Sequence, residues 1–246
     1  MNYNKKVPLE QDKIRLLIKS FEDGEFIYYE KFREHPTITQ NGKGAAIWNE
    51  IHTQISQNFV SEDYQIGHIS RGLWTLVYLY DRRTKYLYTF MRDENFRSLH
   101  KKGVEDQLFH YSNVMSRLNA ELLGIYEPPY KQLSFIPSVN LDEEIDTKLS
   151  ALLETMIGKV EGDIERYAIV LVNTLRGNVK EIKCVIPLAC ADPIYVEDWS
   201  EYISAEYSTD DYEVEVIIPS SDEIVLYQSD EDIDLSIISE EQEQTK

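Results

Sequence analysis

Two apolar, aromatic runs separated by a polar connector constrain this chain more than any other feature. Residues 73–80, Leu-Trp-Thr-Leu-Val-Tyr-Leu-Tyr, have the aromatic and β-branched composition of a strand. Asp81-Arg-Arg-Thr-Lys85 interrupts the run, and residues 86–91, Tyr-Leu-Tyr-Thr-Phe-Met, return in the same style. Such a pair reads as a β-hairpin with a longer loop. Asp93 then stands where it would cap a short amphipathic helix carrying Phe96 and Leu99.

Helical periodicity surrounds this hairpin. Ile14, Leu17, Ile18 and Phe21 share one face of a helix over residues 9–21, with Pro8 as its start signal and Gly24 interrupting the pattern. Residues 26–29 suit either a short strand or a helical turn, and 35–44 form a loop by their turn residues. Ile47, Ile51, Ile55 and Phe59 predict a helix over 45–59, with Trp48 and His52 one position round. Leu108, Tyr111, Met115, Leu118 and Leu122 predict another over 104–123, closed by Gly124.

The Pro128-Pro129 pair ends helical geometry, and residues 133–136 form a short strand candidate. Asn140 or Asp142 then caps a helix to about 157, with Ile145, Leu149, Leu152, Leu153 and Met156 inward. A second hairpin follows, 167–172 returning as 179–188 around Arg176-Gly-Asn178. Two helices, hairpin, two helices, hairpin is an α+β order: antiparallel hairpins forming a sheet packed against amphipathic helices.

The charge is lopsided. The 246 residues carry a net charge of −19. From 192 onward there are 18 acidic residues and one basic residue, Lys246, for a net of −17; residues 1–191 hold 24 basic and 26 acidic residues, for −2. The expected organisation is a nearly neutral α+β body over 1–191, with subdomains dividing near 130 as one option. An acidic extension over 192–238, folded because it contains apolar islands at 195–196, 199–203, 214–218 and 224–227, and a loose acidic tail over 239–246 complete it. No run approaches the roughly 18 apolar residues of a membrane span, and the first residues lack the apolar core of a secretory signal. Cys184 and Cys190 form no CxxC pair and suit a reducing cytoplasm as small buried hydrophobes.

Residues 74–96, read as W-x-x-V-Y-x-Y-D-x-x-T-K-x-L-Y-T-F-M-R-x-x-x-F, resemble a family of bacterial proteins of unknown function. The resemblance implies a bacterial or phage origin and no activity.

The best catalytic pattern is Asp163 followed by Glu181-Ile-Lys183, which resembles the PD-(D/E)xK nuclease signature. Strand alternation puts Glu181 and Lys183 on one face, opposite Ile182, Cys184 and Ile186. Two carboxylates could hold Mg²⁺ while the lysine stabilises charge on the scissile phosphate. Glu-x-Lys on the wet face of a strand is also an ordinary charge pattern, and no proline precedes Asp163. His35, His52, His68, His100 and His110 are scattered with no metal-ligand spacing, and the phosphate-binding glycine fingerprints are missing from the sequence. Arg82, Arg83 and Lys85 make a basic hairpin tip, expected to pair with the acidic quarter of the same chain.

The leading function class is therefore an acidic interaction or regulatory protein that needs no cofactor: an inhibitor, an antitoxin-like regulator or a phage counter-defence factor. Asp210, Asp211, Glu213, Glu215, Asp230, Glu231, Asp232 and Asp234 would dock on a basic protein partner. Direct nucleic-acid binding is opposed by that field. The alternative is a metal-dependent nuclease using Asp163, Glu181 and Lys183 with Mg²⁺. A small-ligand domain with a pocket between hairpins and helices is a third class.

Overall fold

Strands buried on both faces read as continuous apolar runs, and this explains residues 167–172, where every position is apolar. In the computed structural model the described residues are 7–36, 39–71, 74–99, 108–124, 143–175, 177–188 and 191–203. The chain divides into two units, 1–208 and 209–246, and all described residues lie in the first.

The elements run α1 (Gln11–Glu34), α2 (Lys43–Asn58), β1 (Tyr64–Arg71), β2 (Trp74–Asp81), β3 (Tyr86–Arg92), α3 (Asp93–Leu99), α4 (Tyr111–Ser116) and a 3₁₀ helix (Arg117–Gly124). They continue with α5 (Glu143–Ile157), β4 (Arg166–Leu175), β5 (Asn178–Leu188), β6 (Ala191–Asp198) and a 3₁₀ turn (Ser200–Tyr202). The fold is α+β: six strands in sequential order form one sheet, antiparallel everywhere except β3 beside β4. The two expected hairpins are β2–β3 and β4–β5. Their parallel junction requires a long crossover, residues 93–165, which carries α3, α4, the 3₁₀ helix and α5.

The sheet is the middle of three layers. Tyr88 and Phe90 of β3, Ala168, Val170 and Val172 of β4, and Ile182 and Cys184 of β5 face α1 and α2. Leu87, Met91, Tyr167, Ile169, Leu171 and Val185 face α3, α4 and α5. The stripe Ile47, Ile51, Ile55 and Phe59 is buried as its spacing predicts. Phe21 meets Trp48 and Phe90 edge-on, each at 6.1 Å between ring centres, a favourable aromatic geometry.

The structure departs from the sequence reading at three places. Gly24 does not end α1, which runs on through residues 26–29 to Glu34. A Cβ at Gly24 would stand 2.6 Å from the Ile51 backbone, so this glycine marks the point where α2 crosses α1. Within the helix expected over 104–123, residues 108–110 are turn and bend, Tyr111–Ser116 is α-helical and the geometry tightens to 3₁₀ from Arg117, while 104–107 lie outside the described residues. Tyr64–Arg71, not read from the sequence, is an edge strand with Gly67 under the Tyr78 ring, where a Cβ would meet the hydroxyl. The expected strand at 133–136, the cap at Asn140 or Asp142, and the islands at 214–218 and 224–227 lie outside the described residues.

Candidate functional site

The carboxyl ends of adjacent parallel strands are where open α/β sheets bind ligands, and the Glu-x-Lys pair lies at that end of β4. Alternation holds as read: Ile182 and Cys184 are buried toward α1 and α2, while Glu181 and Lys183 project from the other face. Burial pushes the Cys184 thiol pKa well up, so it is an inert core group. Glu181 is level with Asn173 of β4, and Lys183 with Leu171 on one side and Asp198 of β6 on the other. Lys183 Nζ lies 2.5 Å from Glu181 Oε1. Asp198 is held below the usual carboxylate range, first by its hydrogen bonds with Ser200 and also by the Lys183 charge. On the opposite sheet face α1 adds two carboxylates at the same end. Glu25 accepts from Thr174 Oγ1 at 2.5 Å, and Glu22 accepts from the Val179 N–H at 3.1 Å. Burial raises the Glu22 pKa.

Asp163 is not part of this group. It precedes β4, whereas Glu181 pairs with Asn173, seven residues past Arg166, the first residue of β4. That is roughly 23 Å of strand at about 3.3 Å per residue. Its side chain is 93% exposed and lies 3.5 Å from Lys85. The loop carrying it is a built structure: Tyr80 donates to the Asp163 carbonyl at 2.7 Å and Tyr78 to the Lys159 carbonyl at 3.2 Å.

Lys85 belongs to the basic tip, which is shaped by Asp81. Asp81 Oδ1 accepts the backbone N–H of Arg83 at 3.0 Å and of Thr84 at 3.2 Å, and Lys85 adopts a φ of 59°. Arg82 reaches Glu161 at 2.6 Å and Arg83 reaches Glu10 at 2.9 Å. Among the described residues the tip's carboxylate partners are Glu161, Glu10 and Asp163 of the body. The acidic residues from Glu206 onward, which the sequence reading expected to pair with the tip, lie outside the described residues. These exposed pairs orient side chains more than they stabilise the fold.

On the α5 side of the sheet an open cleft of about 420 Å³ lies among Ser116, Arg117, Ala120, Ser150, Glu154 and Leu188. Arg117 donates to Asp146 at 2.8 Å and to Ser150 at 3.2 Å, so its guanidinium is already tied to α5. Among the described residues no group of three or more His, Cys, Asp or Glu is placed to hold a metal ion. The eight carboxylates from Asp210 to Asp234 named as partner-binding lie outside the described residues.

Residues 6–246 match a family described as a family of unknown function, DUF5986. The chain belongs to that family. The match extends the resemblance seen at residues 74–96 to nearly the full length. No curated protein and no solved structure matches.

In this DUF5986 chain the sequence reading missed Asn119, which lies at the polar centre of the α4 side. Its Nδ2 donates to the carbonyls of Tyr167 at 2.9 Å and Pro187 at 2.8 Å, and its Oδ1 accepts the Tyr167 N–H at 3.0 Å. A fully buried asparagine beside an apolar stripe was the available signal. His110 is a cap, accepting the Ser112 N–H at 3.3 Å where α4 begins.

Proposed function

We propose that this protein is an acidic interaction or regulatory protein, of inhibitor, antitoxin-like or phage counter-defence type, that docks on a basic surface of a partner protein. The observation that carries the reading is the charge division: 18 acidic residues against one basic from 192 onward, beside a body of net −2. The seat of the activity is the cluster Asp210, Asp211, Glu213, Glu215, Asp230, Glu231, Asp232 and Asp234. A field of this sign speeds encounter with a cationic surface and repels nucleic-acid phosphates. The reading requires no cofactor and a cytoplasmic setting, in keeping with the buried free thiol of Cys184. It is tested by capture on the immobilised full chain at low and high salt, beside a variant with Asp230, Glu231, Asp232 and Asp234 changed to Asn or Gln. A basic protein retained at low salt and lost in the variant is expected; retention indifferent to both changes refutes it.

A second reading is a Mg²⁺-dependent nuclease of PD-(D/E)xK type, favoured by Glu181 and Lys183 sharing a face, with Asp198 level with Lys183 where Asp163 was expected. Cleavage of single- or double-stranded DNA or RNA that depends on Mg²⁺ and vanishes in Glu181→Ala and Lys183→Ala would establish it. The interaction reading expects no cleavage from the unaltered protein.

A further inference from the structure

The sheet has two outer strands, and they are finished differently. β6 carries the marks of a protected edge. Pro193 has no N–H to offer, Glu197 and Asp198 are acidic, and Glu197 Oε2 accepts the N–H of Val7 at 2.8 Å. β1 is covered only at its ends: Arg82 Nη1 donates to the Tyr64 carbonyl at 3.3 Å and Arg71 closes the strand, while residues 64–70, Tyr-Gln-Ile-Gly-His-Ile-Ser, contain no proline, lysine or acidic residue.

The backbone register says which groups the edge presents. Arg82 N–H donates to the Asp63 carbonyl at 2.8 Å, and Gln65, Gly67 and Ile69 follow in the same phase of the ladder against β2. Antiparallel alternation then turns the N–H and C=O groups of Ile66, His68 and Ser70 outward. The His68 and Ser70 side chains are exposed, so nothing bulky of the strand itself shields those groups. The strand is also held rigidly. Gln65 donates to the Lys159 carbonyl at 2.9 Å and accepts the Glu161 N–H at 2.8 Å, and the Tyr78 ring fills the space over Gly67. Among the described residues no strand pairs with this side of β1, and a fixed edge with free backbone groups is preorganised to receive another strand.

The sequence of this edge is self-complementary. An antiparallel pairing about a two-fold axis at Gly67 sets Ile66 of one copy opposite His68 of the other, so that each pair exchanges both backbone hydrogen bonds. The charged residues flanking the stretch are Asp63 and Arg71, and the same register sets one opposite the other. Within it, residues 64–70 contain no Asp, Glu, Lys or Arg, so no carboxylate, ammonium or guanidinium of the stretch is desolvated by the contact. We propose that β1 pairs antiparallel with β1 of a second copy of this chain, joining two six-stranded sheets into one continuous sheet across an isologous dimer.

The test is the mass of the full chain by sedimentation equilibrium at micromolar concentrations, compared with His68→Pro and His68→Lys. The proline removes an outward N–H that makes no bond within the sheet, and lysine is a usual blocker of edges. The expected result is twice the monomer mass for the unaltered protein, and a dissociation constant raised at least about tenfold in both variants at unchanged melting temperature. Should the proline variant fail to fold, the lysine variant decides alone. A monomeric unaltered protein overturns the proposal, as does a dimer that persists in the folded variants.

Discussion

Gly24 offers a test in which two physical accounts predict opposite signs. Treated as a glycine inside an exposed helix, Gly24→Ala should stabilise α1 by about 1 kcal/mol through helix propensity. The structure says otherwise. The added Cβ would sit 2.6 Å from both the Cα and the N of Ile51, and 2.7 Å from its Cγ1. Two of the three obstacles are backbone, which no rotamer change relieves. α2 must therefore move away, loosening Ile47, Ile51 and Ile55 where they pack on α1 and the sheet. Overpacking of this kind costs about 1–3 kcal/mol; two backbone obstacles at 2.6 Å put this case in the upper part of that range, about 2–3 kcal/mol, from which the propensity gain of about 1 kcal/mol is subtracted. A net loss of about 1–2 kcal/mol is expected, lowering the melting temperature by a few degrees in a chain of this size. Gly44→Ala is the control, since its Cβ meets nothing within 4 Å; it should be neutral or slightly stabilising. Thermal and urea melts of both variants decide the matter. Gly24→Ala as stable as the unaltered protein would refute the crossing account.

Two further perturbations probe the buried polar groups. Asn119→Leu leaves the Tyr167 N–H and the carbonyls of Tyr167 and Pro187 without their partner, and should cost about 2–4 kcal/mol in urea unfolding; a change under about 0.5 kcal/mol would show that the bridge is dispensable. Burial lowers the His52 pKa from 6.5 to about 4. The unfolded chain therefore binds a proton there that the native state refuses, so stability falls as pH drops from 6.5 toward 4 and levels below it. His52→Gln should flatten the stability–pH curve in that window relative to the unaltered protein, and parallel curves would contradict the shift.

The sequence made the sheet partly legible because its hairpins are local. The runs 73–80 and 86–91, and 167–172 with 179–188, carry both composition and connector in neighbouring residues. Periodicity likewise located the buried stripe of α2. What it could not carry was contact between distant segments. Gly24 looks like a helix breaker until Ile51, far along the chain, is seen to press against it. The parallel junction of β3 and β4 depends on the crossover through 93–165 and leaves no local mark. β1 was missed because an edge strand with a central glycine and exposed His68 and Ser70 has a weak apolar signature. The site reading divides the same way: Glu181 and Lys183 share a face by strand alternation alone. The placement of Asp163 away from them, and of Asp198 beside Lys183, depends on pairing registers that no spacing rule contains.

The claim that the acidic quarter directs association is tested most directly by the association rate with the basic protein captured at low salt. Seventeen net negative charges on residues 192–246 act over about 8 Å at physiological ionic strength. Such a field accelerates encounter more than it tightens the final complex. Changing Asp230, Glu231, Asp232 and Asp234 together to Asn or Gln should slow association several-fold at low salt and leave dissociation nearly unchanged. High salt should erase the difference. An association rate unchanged at low salt would contradict the claim and leave that cluster only a role in solubility.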